Sequence, residues 1–268
     1  MDKRLFCLLM ALCLVLCACG TVIPEVPETA PRLTVVETLP CKAAESTTAP
    51  TELPAESPTA PAHSPLYLDG VPVEDVIAFF NEVCLDAEII HSGDPSLLQK
   101  WTSPIFYTIH GDMTPEDYTT FTDFVQWLNT IEGFPGIQKA QEPYMSNLDI
   151  HFCSDREMLE LMGAQFFGMD GAVTFWYEND EIYDAIICYR TDLHQKLRNS
   201  VILEEIYNGL GPVQDTALRS DSIIYAEYSE PQMLSAMDEL ILKLLYHPQM
   251  KCGMNRRQCE AVIRELYY

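Results

Sequence analysis

Nine prolines and not one aromatic residue fall between residues 20 and 65, so any folded core in this 268-residue chain has to be built C-terminal to that stretch. The stretch is also rich in Thr, Ala and Glu, and it buries too little apolar surface to offset the entropy of ordering it. It reads as an extended stalk, with an upper reach on the order of 140 Å at about 3.1 Å per residue of polyproline geometry. The segment 66–268 suits one domain with a sizeable core.

Ahead of the stalk, Asp2-Lys3-Arg4 precede 14 apolar residues from Leu5 to Ala18. This is the length of a signal-peptide core and short of the roughly 20 residues that a spanning helix needs. The run closes on Leu16-Cys17-Ala18-Cys19-Gly20, with Leu three positions and a small residue one position before a cysteine. The pattern resembles the processing site of bacterial lipoproteins. The resemblance implies cleavage after residue 18, acylation of Cys19, and export to the outer face of the cytoplasmic membrane, with the bilayer as a partner. Two or more acyl chains anchor stably where one is marginal. The expected organisation is a signal peptide over 1–18, a lipidated stalk over 19–65 and a globular domain over 66–268.

Charge narrows the partners of that domain. From residue 66 onward there are 33 acidic and 12 basic residues, so the domain carries −21 of the formal net charge of −24. Such a field repels nucleic acid and anionic headgroups, and nucleic acid is excluded as a partner. The domain also holds Cys84, Cys153, Cys188, Cys252 and Cys259, with no Cys-x-x-Cys spacing to suggest a zinc ribbon or a redox motif. Export permits disulfides. Cys153 with Cys188, both in strand-like stretches, is the first candidate pair and Cys252 with Cys259 the second. Buried free thiols are the alternative.

Periodicity predicts an α+β domain, a mixed sheet with packed helices. Apolar residues at 73, 76, 77, 80 and 83 mark a helix over Val73–Ala87. Trp101–Ile109 reads as one strand. Thr114-Pro115-Glu116-Asp117 carries a cap, a first-turn proline and a capping-box acid, with Tyr118, Phe121, Val125 and Leu128 expected inward. Leu148–Cys153 is a strand and Asp155–Met162 a short helix. Ala172–Tyr177 and Ile182–Tyr189 read as neighbouring strands, His194–Leu210 as a helix stopped by Gly211-Pro212, and Ser235 as the cap of a last helix ending at His247-Pro248.

The run Val201-Ile-Leu-Glu204-Glu205-Ile-Tyr-Asn208-Gly-Leu-Gly211 has the spacing of the zinc-peptidase helix His-Glu-x-x-His-x-x-Gly, and resembles it with both histidines replaced. Glu204 and Asn208 stand at the ligand positions, Glu205 at the general-base position and Gly211 at the terminal glycine. Asp221-Ser222-Ile223-Ile224-Tyr225 resembles the supporting turn of a metzincin. Those residues, together with Leu245-Tyr246-His247-Pro248, Gly253-Met254, Trp101 and Asn147–Ile150, resemble domain-of-unknown-function family 2927. This resemblance implies a metzincin-like single domain and brings no known substrate.

Catalytic zinc takes three ligands, mostly imidazole. Asparagine is a poor zinc ligand, and Gln214 or Asp215 is all the sequence offers as a third. No metal or other cofactor is therefore expected, and Glu205 is left as the one candidate catalytic residue. The cleft candidates are Glu204, Glu205, Asn208, Gly211 and Asp215, and the expected ligand is a peptide, a protein or a cell-wall component. A hydrolase using Glu205 as base and a purely structural envelope component are the competing readings.

Overall fold

The computed structural model describes residues 66–86 and 97–267. The expected signal peptide, Cys19 and the stalk with Cys41 lie outside the described residues. Among the described residues, six helices of eight residues or more form: α1 Val73–Leu85, α2 Pro115–Leu128, α3 Asp155–Met162, α4 Gln195–Gly209, α5 Ala236–Tyr246 and α6 Arg256–Leu266. The strands are β1 Lys100–Trp101, β2 Ile105–His110, β3 Ile137–Lys139, β4 Leu148–Cys153, β5 Gly171–Glu178 and β6 Glu181–Arg190. Among the described residues no helix is long and apolar enough to cross a membrane.

Local chemistry sets the helix starts. Thr114 Oγ1 accepts from Asp117 N–H at 3.1 Å while Asp117 Oδ2 accepts from Thr114 N–H at 2.8 Å. The same reciprocal box opens α3 through Ser154 and Glu157, α5 through Ser235 and Asp238, and α6 through Asn255 and Gln258.

The fold is α+β with a mostly parallel six-stranded sheet. β3, β2, β4 and β6 lie side by side and parallel, and β5 runs antiparallel to β6 at the edge. β1 extends the β4 side of β6, pairing Trp101 with Ile182 just ahead of the Leu148–Ala185 pair. The β5–β6 hairpin turns through Asn179 (φ 53°) and Asp180 (φ 63°), the residue types other than glycine that most readily take positive φ.

One sheet face points Ile105, Leu148, Ile150, Phe152, Ala185, Ile187 and Tyr189 into the main core, completed by apolar residues of α1, α2, α4, α5 and α6. The opposite face carries Thr108, His110, Asp149, His151, Asp184 and Trp176, half-buried or exposed, and its far end packs against α3 through Cys153 and Cys188. Each large apolar side chain taken fully out of water contributes about 1.5–3 kcal/mol, which is why the two-sided division is so sharp.

The structure departs from the sequence-based expectation at four places. The strand expected over Trp101–Ile109 divides into β1 and β2, because Pro104 cannot donate to a ladder. α2 buries Asp117, Phe121, Phe124 and Leu128, whereas Tyr118 is 59% exposed. β3 and α6 carry no expectation from the sequence. β3 is three residues long, and α6 buries only Cys259 and Ile263. All five described cysteines are free thiols, so neither Cys153–Cys188 nor Cys252–Cys259 is a disulfide in this structure.

Candidate functional site

The helix α4 begins at His194, whose side chain accepts from Leu197 N–H, and it follows β6 directly, lying against the core side of the β5–β6 hairpin. Two glycines let it come close. A Cβ on Gly171 of β5 would fall 2.4 Å from Val201 Cγ1 and 2.8 Å from Glu205 Cγ. Gly211 has φ 130°, and a Cβ there would meet Gln99 O at 2.7 Å and Leu245 Cδ2 at 3.1 Å. Gly211 is thus a structural requirement where the chain leaves α4, and Gly171, which no sequence motif singles out, is a second one.

The last carbonyls of α4 have no intrahelical donors, and aromatic side chains supply them. Trp101 Nε1–H donates to Gly209 O at 2.9 Å and Tyr246 Oη–H to Leu210 O at 2.8 Å. Tyr207 Oη–H, in turn, donates to Asp238 O at 3.2 Å. All three rings are buried. The family-like residues Trp101 and Leu245-Tyr246 are therefore fixtures of the helix end.

The Asp221–Tyr225 turn is likewise held from within. The fully buried carboxylate of Asp238 accepts from Ser222 Oγ–H at 2.6 Å, from Ile223 N–H at 3.0 Å and from Ser235 N–H at 2.9 Å. Between that turn and α4, Thr216 is buried. It donates its hydroxyl to Glu82 at 2.6 Å and pairs through its backbone with Ile224 and Ala226. Gln214 N–H reaches Val83 O at 3.3 Å. This lacing brings Asp215, one of the cleft candidates, beside α4.

The expected cluster does assemble in part. Glu205 is 7% exposed. Burial first, and then the charges of Glu204 and Asp215, push its carboxyl well above the ordinary glutamate range. Glu205 is held against β5, and its charge adds to the rise of two neighbouring groups: the Cys188 thiol, raised first by its hydrogen bond with Cys153, and the Tyr189 hydroxyl, raised first by burial. Glu204 is half-buried and Asp215 exposed. Asn208, one turn beyond Glu204, is half-buried, and its Oδ1 is buried without a hydrogen-bond partner. Among the described residues no three His, Cys, Asp or Glu side chains are arranged to hold a metal ion.

The described histidines stand elsewhere. His110 and His151 stack at 4.3 Å on the outer sheet face, with His110 Nε2 3.4 Å from Asp149. His194 caps α4 and pairs with Glu230 at 2.9 Å, and His247 closes α5. Of the aromatics, Phe175 is half-buried against the main core, whereas Trp176 and Tyr177 are 42% and 53% exposed on β5. Trp176 and Tyr177 flank an irregularity in the β5–β6 register.

β5 pairs with β6 along one side and, among the described residues, with no strand along the other. The site thus consists of an open sheet edge running beside a helix whose outer side shows Glu204 and Asn208 over a buried acid. No curated protein matches the sequence. Residues 74–265, from the first turn of α1 to the last turn of α6, match a protein family of unknown function, DUF2927, and the chain belongs to that family.

Proposed function

We propose that this protein is an exported lipoprotein whose domain is a non-catalytic, metzincin-like peptidase relative that binds an extended segment of peptide, protein or cell-wall component. The observation that carries the binding reading is the open edge of β5 beside α4. An extended chain adds to such an edge through main-chain hydrogen bonds, with side chains reading alternate positions. Trp176 and Tyr177 offer exposed rings on the same strand.

The absence of catalysis is argued from the ligand positions. Glu204 and Asn208 replace the imidazoles that a catalytic zinc requires, and Glu205 is buried against β5. Hydrogen exchange of the full chain, with and without unstructured peptides or peptidoglycan fragments, tests the reading. Amides of residues 172–178 should slow on binding, and Trp176→Ala should weaken the effect. Peptide hydrolysis that disappears in Glu205→Gln would replace this reading with the hydrolase.

The anchor is proposed from the Leu16–Gly20 pattern. Partition of the mature chain into the detergent phase should be lost in Cys19→Ser. A chain that stays membrane-bound in that variant refutes lipidation at Cys19.

A further inference from the structure

A second, separate cluster lies on the outer sheet face under α3. It is built from Cys153, Met158, Ala172 and Cys188, all buried, with Met162, Phe166 and Ile186 packed around them. The thiols of Cys153 and Cys188 share a hydrogen bond. Met158 and Met162 are one helical turn apart on α3, so both thioethers face the same patch. Four sulfur side chains therefore converge where β4, β6 and α3 meet, on the sheet face opposite the main core.

The strand register argues against a bond between the thiols. Cys188 pairs with His151, and Cys153 pairs with Arg190. The two cysteines are thus diagonal neighbours on adjacent parallel strands rather than directly opposite, and both are free thiols. A reduced pair in contact keeps two soft donors available, and the thioethers add two neutral ones. Such a set selects a soft cation over hard ones.

A singly charged ion with one thiolate and neutral sulfur donors is electrically neutral, and neutrality avoids the cost of burying net charge. Zinc, doubly charged and poorly served by thioethers, fits less well.

We propose that Cys153, Cys188, Met158 and Met162 form a binding site for copper(I). On binding, one of the two thiols gives its proton to solvent and ligates as thiolate while the other stays neutral, so the site carries no net charge. The metal arrives as copper(I) and stays so, and no electron is transferred.

The test is a titration of the reduced full chain, without oxygen, with copper(I) in competition with bicinchoninate. The wild-type chain should hold one more equivalent of copper than the Cys153→Ser/Cys188→Ser double variant. Met158→Leu, which keeps the shape and removes a thioether, should weaken copper(I) at least about tenfold while leaving the melting temperature near that of wild type. If the double variant fails to fold, Met158→Leu and Met162→Leu decide the matter. Copper retention unchanged by these substitutions, or zinc held more tightly than copper(I), overturns the site.

Discussion

At the scale of the residue, the informative positions are those where a polar group sits in the core with a specific reason. Glu205 is one. A carboxyl raised by burial binds its proton more tightly in the folded chain than in the unfolded one. Its contribution is therefore complete below the ordinary glutamate value of about 4.3 and is lost as the pH rises toward the folded value. Glu205→Gln has no proton to lose, so its stability relative to wild type should increase between pH 5 and pH 8. Urea midpoints at the two pH values check this, and a constant difference would refute the buried acid. Lys100 is another buried polar residue. Its ammonium donates to Leu245 O at 2.8 Å and Met250 O at 2.6 Å, and burial lowers it to about 8. Lys100→Met leaves both carbonyls unpaired and should cost about 2 kcal/mol in urea unfolding. Gly211→Ala should cost about 2 kcal/mol or more, since it forces a side chain into positive φ and against Gln99 O.

At the scale of the element, the capped helix starts are legible because a cap and its reciprocal partner lie three residues apart in sequence. Thr114–Asp117 and Ser235–Asp238 are both readable on that ground. Asn255–Gln258 carries the same sign for α6, and Cys259, Val262, Ile263 and Leu266 follow it at helical spacing, although no helix is expected there above. The second role of those acids has no such local sign. Asp117 is fully buried and pairs with Arg198 of α4, whose Nε lies 3.1 Å from Oδ1. Gln195 donates to the same oxygen at 2.7 Å. The cap of α2 is thereby also the joint between α2 and α4. Arg198→Met strands a buried carboxylate and should destabilise the fold by about 3–5 kcal/mol. Asp117→Asn in the same chain should recover part of the loss. A denaturant double-mutant cycle measures both, and independent, additive costs would show that the joint is not a unit.

At the scale of the whole molecule, 33 acidic against 12 basic residues from position 66 onward make self-repulsion a standing cost of compactness. Raising sodium chloride from 0.01 to 0.5 M shortens the Debye length from about 30 Å to a few Å, so the melting temperature should rise with salt. A flat or falling curve would mean that ion pairs such as Arg190–Asp192 and Arg219–Asp221 outweigh the net repulsion.

The sequence by itself determined where a core could form, most of the helices and strands, and that positions 204 and 208 lack imidazole. Those are matters of composition and of spacing within one element. The tertiary structure decided which distant residues meet. The parallel order of β2, β4 and β6 has no local signal, because its strands are joined by long crossovers. Register put Cys153 and Cys188 on a diagonal, although strand periodicity alone allowed them to face each other. The lacing of 212–226 onto α1 brought Asp215 to Glu205, and Trp101 came to the end of α4 from 108 residues away in sequence. The physical reason is the same in each case. A buried donor, acceptor or charge has to find its partner wherever the fold brings one, and chain distance does not enter that requirement.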